Sequence, residues 1–212
     1  MVHPLSLHEY EGMLRHAFFV VGCLWLFLVV HPTHSQTFNA SEYSALKDLY
    51  DSTRGEYWTY HGATDGHWNF SDANPCVPTP WQGLTCDSSN VAVVNMELSD
   101  FNLTGTIPVS LGNLADLEFL DLYDNSLTGT IPASLGNLAN LKRLNLYHNG
   151  LTGSLQESLG SLAELLVFYL FDNGLTGSLP ESLGKLTNLQ SLCLFNNGLN
   201  GSLPESLGNL SE

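Results

Sequence analysis

Asp124, His148 and Asp172 follow one another at intervals of 24 residues, and such a triad offers two kinds of chemistry. An Asp-His-Asp set supplies oxygen and imidazole donors suited to a divalent metal. Two carboxylates about 9.6 Å apart, two strand spacings, could instead flank a glycosidic bond. A metal centre requires converging ligands with a supporting shell, and an acid–base pair requires a pocket that desolvates one carboxyl. A shallow open sheet provides neither, so the triad is expected on a solvated face. His61 and His67 are too few for a zinc centre. No serine sits in a Gly-x-Ser-x-Gly setting, and the glycines follow a repeat rather than a phosphate loop. The chain therefore reads as a non-enzyme with no catalytic residue, no metal and no cofactor.

The same step carries residues suited to recognition. Tyr123, Tyr147, Phe171 and Phe195 form an unbroken aromatic column. Beside it run Phe119, Arg143, Val167, Ser191, then Asp121, Asn145, Tyr169, Cys193, and last Asp124, His148, Asp172, Asn196. Rings at sheet spacing could stack on sugar faces or on a partner's apolar side chains. Alternatively they pack on one another and shield the strand backbone. Thr104, Thr128, Thr152 and Thr176 make a further ladder that could meet a surface such as ice, although the turn itself demands that residue.

What places these columns is a repeated unit. One copy reads Leu120-x-Leu122-x-x-Asn125-x-Leu127-Thr128-Gly129-x-Ile131-Pro132-x-x-Leu135-Gly136-x-Leu138-x-x-Leu141. A period in the twenties with this Leu/Asn pattern signals a solenoid of leucine-rich repeats. Leu120 and Leu122 point to one side of a short strand, and Phe119, Asp121 and Tyr123 to the other. Stacked turns give a parallel sheet with rungs ~4.8 Å apart. The asparagine column lies where the chain bends inward, so its amide needs backbone partners. Gly129 allows a tight bend, and Ile131-Pro132 predicts a second extended segment. The short remainder predicts a 3₁₀ turn on the convex side. Such turns bury their leucines only against neighbours.

Composition bounds the partners. Six Lys+Arg against 21 Asp+Glu give a formal charge of −15 in 212 residues, which disfavours nucleic acid and anionic lipid or polyuronate. The apolar run from Ala17 to Val30, shorter than the ~20 residues of a membrane span, reads as a secretory signal over residues 1–35, with a signal-anchor as the alternative. Residues 36–95 lack the period and open on a short amphipathic helix near Ser41–Tyr50. Val91 to Leu98 is a strand in phase with the later ones. Residues 96–212 hold about five repeats, the last incomplete. An uncapped leucine stack exposes apolar surface, so the chain reads as a piece of a longer protein.

The block Ala45-Leu46-x-x-Leu49-Tyr50, Trp58, Trp68, Pro75-Cys76, Trp81-x-Gly83-Leu84-x-Cys86, followed by Leu103-Thr104-Gly105-Thr106-Ile107-Pro108, resembles the N-terminal cap and first repeat of plant-type leucine-rich repeat proteins. That family includes ectodomains of receptor-like kinases and receptor-like proteins, and polygalacturonase-inhibiting proteins. The resemblance implies an α/β solenoid: a right-handed superhelix with a parallel β-sheet on its concave face, 3₁₀ turns on its convex face and a disulfide-bonded cap. Cys76 and Cys86 match the family's cap cysteines, and a secreted context permits their disulfide. Cys193 is left over, facing outward. The resemblance also implies that Phe119, Asp121, Tyr123, Asp124, Arg143, Asn145, Tyr147, His148, Tyr169, Phe171, Asp172, Phe195 and Asn196 contact a protein, peptide or glycan ligand. Sequons at Asn39, Asn69, Asn102, Asn200 and Asn209 fit a glycosylated surface. The expected setting is secreted, or the extracellular side of the plasma membrane with an anchor beyond residue 212. Inhibition of a cell-wall hydrolase by the same sheet is the alternative.

Overall fold

The computed structural model describes residues 37–212 except 62–65, 79 and 210–212; the side chain of 209 is also outside it. The expected leader over residues 1–35, with Cys23, and the sequon at Asn209 lie outside the described residues. Helix α1 (Ala40–Ser52) opens the cap, followed by a 3₁₀ turn at Gly55–Tyr57. Its N-cap is Asn39, whose Oδ1 accepts from Ser41 N at 2.9 Å. The strands follow as β1 (Leu84–Cys86), β2 (Val93–Glu97), β3 (Thr104–Thr106), β4 (Phe119–Asp121), β5 (Ser126–Thr130), β6 (Arg143–Asn145), β7 (Gly150–Gly153), β8 (Val167–Tyr169), β9 (Gly174–Gly177), β10 (Ser191–Cys193) and β11 (Gly198–Leu199). A 3₁₀ turn follows each strand of the second series, as at Ala133–Asn137 after β5.

Six strands form the concave sheet in the order β1-β2-β4-β6-β8-β10. Apart from the antiparallel β1–β2 pair, the ladder is parallel and in register: Met96, Leu120, Leu144, Phe168 and Leu192 align, as do Glu97, Asp121, Asn145, Tyr169 and Cys193. The extended segment expected around Ile131-Pro132 lies earlier in the repeat, at Ser126–Thr130. With its equivalents it builds a second, five-stranded parallel sheet, β3-β5-β7-β9-β11. Gly129 sits within β5 at φ +77°, so its positive φ bends a strand rather than ending it.

Between the sheets lie fully buried leucines, among them Leu111, Leu114, Leu117, Leu120, Leu122 and Leu127. At the Leu-Gly column the turns pack backbone on backbone: a Cβ on Gly136 would run into the Ser158 carbonyl of the next rung. Leu192, Leu194 and Leu199 are only half-buried and Leu203 is exposed, because no further rung covers them among the described residues. At the other end Trp58, Trp68, Phe70 and Trp81 pack edge-on and tilted against one another. The Cys76–Cys86 disulfide closes this cap. Glu42, 2% exposed, accepts from Val93 N at 3.2 Å, and burial raises its carboxyl pKa.

The asparagine column joins the two sheets. Asn149 Oδ1 accepts from Leu127 N at 2.9 Å, and its Nδ2 donates to the Leu122, Leu146 and Tyr147 carbonyls at 3.0, 3.2 and 3.2 Å. Asn125, Asn173 and Asn197 repeat the pattern. Asn149→Ala strands several interior backbone groups and is expected to destabilise the chain by on the order of 3 kcal/mol. Asn140→Ala, which removes one exposed bond to the Ala115 carbonyl, is expected to cost about 0.5 kcal/mol. Thermal and urea melts followed by circular dichroism measure both.

Candidate recognition surface

Inward-facing leucines at Leu120, Leu122, Leu144 and Leu146 are fully buried, so alternation turns positions 119, 121, 123 and their equivalents outward onto the concave sheet. All four columns read from the sequence lie together on that face. Their roles there differ from rung to rung.

Arg143 on β6 reaches back one rung, its Nε donating to Asp121 Oδ1 at 3.1 Å and its Nη2 to Asp121 Oδ2 at 2.6 Å. Nη2 also lies 3.6 Å from Glu97 Oε1, and the guanidinium carbon is 4.7 Å from the centre of the Phe119 ring. A planar fork held by a two-pronged carboxylate contact and a ring face is fixed before any ligand arrives. The network also covers Asp121, whose side chain is 8% exposed. Asp121 thus positions Arg143 rather than offering a free carboxylate. Asn145 is likewise buried, and its Oδ1 has no partner among the described residues. Further along, the Tyr169 hydroxyl and Ser191 Oγ are 3.0 Å apart.

The aromatic column is a continuous stack. Ring centres are 4.5 Å apart for Tyr123–Tyr147, 4.3 Å for Tyr147–Phe171 and 4.6 Å for Phe171–Phe195, with planes within 15°. The interior faces are therefore occupied by neighbouring rings, leaving edges and phenol tips, plus the outer faces of the end rings Tyr123 and Phe195. Phe195 is 57% exposed. Stacking against sugar faces has no room along most of this ladder. Burial among these rings pushes the Tyr147 phenol up to about 12, with Tyr123, Asp124 and Asp121 adding.

Along one margin runs a second chain of contacts. His148 Nδ1 lies 2.7 Å from Asp124 Oδ1, His148 Nε2 2.7 Å from Asp172 Oδ2, and Asn196 Nδ2 donates to Asp172 Oδ1 at 2.6 Å. Each imidazole nitrogen serves a different carboxylate, so the three residues do not converge on one ion. Among the described residues no group of three or more His, Cys, Asp or Glu could hold a metal ion. Asp124, His148, Asp172 and Asn196 all adopt positive φ, between +50° and +55°. Asp, Asn and His are enriched in that region because their short polar or planar side chains tolerate it. The column's composition therefore has a backbone cause as well as a chemical one.

Three charged residues at or beside this face, Glu97, Glu118 and Lys142, stand outside the four columns. Glu97 extends the Asp121 column back one rung and was recoverable by stepping back 24 residues. Lys142 and Glu118 pair at 2.7 Å just before β6 and β4, in a column whose later members, Leu166 and Gln190, carry no charge.

The Leucine Rich Repeat family model matches residues 116–138, 140–162, 164–186 and 188–210. The BIR2 ectodomain from Arabidopsis thaliana is 31% identical, with a TM-score of 0.63 over 78% of this chain and 84% of that one. The chain belongs to the leucine-rich repeat family. It resembles plant receptor kinase ectodomains in particular: the PEPR1–AtPEP1 complex gives a TM-score of 0.69 at 35% identity, over 81% of this chain and 23% of that one. A plant ice-binding protein gives the same TM-score at 29% identity, over 83% of this chain and 54% of that one. The chain spans only 4–9% of the length of the curated plant receptor kinases it matches.

Contacts to Asp124 first, and then to Asp172, raise the pKa of His148 above 6.5. Whatever stability the column contributes is present in full below pH 6.5 and is lost as pH rises through the raised value. Proton NMR titration of the imidazole is expected to place His148 above 6.5 in the intact chain. Asp124→Asn should bring it down further than Asp172→Asn does. A titration at or below 6.5 in the intact chain contradicts the geometry.

Proposed function

We propose that this chain is an extracellular recognition module whose concave sheet binds a peptide or protein ligand laid across the rungs. One observation carries the reading: the outward side chains of the sheet are held by one another, as Arg143 by Asp121 and Phe119 and as the four stacked rings, before any partner is present. A surface already ordered loses little conformational freedom on binding, which favours affinity. Edges and phenol tips suit the grooves between peptide side chains better than they suit the flat face of a sugar, so a peptide or protein ligand is preferred to a glycan. PEPR1, among the similar structures, is solved with AtPEP1. The disulfide fits an oxidising, secreted setting. The sequons at Asn39, Asn69, Asn102 and Asn200 lie off the concave sheet, so glycans there would leave it open. Within this reading the chain is the ectodomain portion of a receptor-like protein or kinase, and it recognises rather than catalyses.

Panning a randomised peptide display library against the full chain tests the proposal. Peptides enriched on the intact chain are expected to bind Arg143→Ala and Tyr147→Ala at least about tenfold more weakly, the loss of a typical anchor. Thr152→Ala, on the other sheet, should leave them unchanged. Enriched peptides that bind all three variants alike place recognition elsewhere.

A second reading concerns the five-stranded sheet. Its outward positions are Ser126, Thr128 and Thr130 on β5, Gly150, Thr152 and Ser154 at β7, and Gly174, Thr176 and Ser178 at β9, all exposed and uncharged. A regular, charge-free hydroxyl face together with the likeness to a plant ice-binding protein supports ice as its ligand. Thermal hysteresis measured on the intact chain and on Thr152→Lys decides it. Hysteresis abolished by the lysine is expected; none in the intact chain ends the reading.

A further inference from the structure

The margin of the concave sheet carries a device that the recognition reading alone does not require. Asp124, His148, Asp172 and Asn196 come from consecutive rungs, and three contacts of 2.7, 2.7 and 2.6 Å join them end to end. The same residues carry backbone bonds that stitch those rungs: His148 N donates to Phe171 O at 3.1 Å, Asn149 N to Asp172 O at 3.2 Å and Asp172 N to Phe195 O at 3.1 Å. The imidazole also meets two rings of the aromatic stack edge-on, Tyr147 at 5.3 Å and Phe171 at 5.5 Å. One side chain thus touches the rung before it, the rung after it and the ladder between them.

Both nitrogens can donate to a carboxylate only when the ring carries two protons. On losing one proton to solvent, one nitrogen presents a lone pair to a carboxylate oxygen, and that link turns from attraction to repulsion. The groups facing the ring are Asp124 and Asp172 at its two nitrogens and the Tyr147 and Phe171 rings at its sides. Asn196 lies behind Asp172, and Asp100 continues the column on the far side of Asp124. Among these no cation competes for the two carboxylates. We infer that the Asp124–His148–Asp172 column is a proton-operated latch that holds the aromatic ladder ready at acidic pH and slackens it at alkaline pH. This regulation rests on the recognition reading for its purpose, but its mechanics are separate from it.

Amide hydrogen exchange on the full chain at pH 5.5 and 8.5, each rate divided by its intrinsic value, tests the latch without any ligand. In the intact chain the protection of the His148, Asn149 and Asp172 amides is expected to fall about two- to fivefold at the higher pH, the range of an exposed ion pair. The Glu118 amide, bonded to the Val94 carbonyl on the other side of the sheet, should not change. In the Asp124→Asn/Asp172→Asn double variant all four should be flat. Equal protection at both pH values in the intact chain, or the same fall in the double variant, overturns the latch. Repeating the peptide binding at both pH values separates the two claims. If exchange responds but the peptides ignore Tyr147→Ala, the latch stands and the recognition reading falls. If exchange is flat but Tyr147→Ala still weakens the peptides, the reverse holds.

Discussion

Every rung of this solenoid turns on one carboxamide. The backbone must leave the concave strand, cross the core and re-enter the second sheet, and in doing so it breaks from both ladders. The asparagine amide supplies the missing partners from a single side chain, one acceptor for the second sheet and donors for the carbonyls of two rungs. A leucine there would bury as much apolar surface but leave those groups unpaired, each at about 1–3 kcal/mol. Because Nδ2 reaches the preceding rung as well as its own, the amide also fixes how far one turn is displaced from the next.

That fixed displacement turns a list of outward residues into ladders. Parallel strands in strict register bring chemically related side chains to nearly the same spacing as the strands, ~4.8 Å. Flat rings fit that interval, and the aromatic column closes to 4.3–4.6 Å. Side chains of unlike charge fit it too, as Arg143 with Asp121 and His148 with both neighbouring aspartates show. The surface is therefore organised along the solenoid axis more than along the strands. A ligand lying across the rungs meets a continuous ring edge on one line and a charge network on another.

Much of this was legible in the sequence, and the parts that were not share a cause. The period alone gave the parallel sheet, the 3₁₀ turns, the inward leucines and the phase of β2, because each follows from alternation within one unit. The cap's helix followed from its apolar spacing and its disulfide from the resemblance, and both stand in the structure. What escaped depends on contact between units. The second sheet forms because the Thr-Gly-Thr of one rung lies beside the Ser-Leu-Thr or Gly-Leu-Thr of the next, which no single repeat announces. The glycine after Leu135 is required by the next turn's carbonyl, not by its own φ. Asp121 and Asn145 face the groove as alternation demands, yet both are buried, Asp121 beneath the Arg143 guanidinium from the next rung. The Asp/His/Asn column invited a chemical reading, although positive φ at each position already favours such residues.

The distribution of charge adds a last constraint. The whole chain is strongly acidic, at −15, yet two of its six basic residues, Lys142 and Arg143, are neighbours on one rung, with His148 further along it. Each is matched by acid from the preceding rung, Glu118, Asp121 and Asp124 in turn, with Glu97 two rungs back adding to Asp121. The middle of the face is thereby brought near neutrality while the rest of the molecule repels anions. From Val167 and Tyr169 onward the columns are mainly apolar and aromatic, ending in the exposed Phe195. Net charge hinders an acidic partner at long range, where screening lets it act only over roughly 8–10 Å. At contact, the paired charges of one rung and the rings of the next set direction: a ligand with a polar end and an apolar end has one favourable way to lie along this sheet and one unfavourable way.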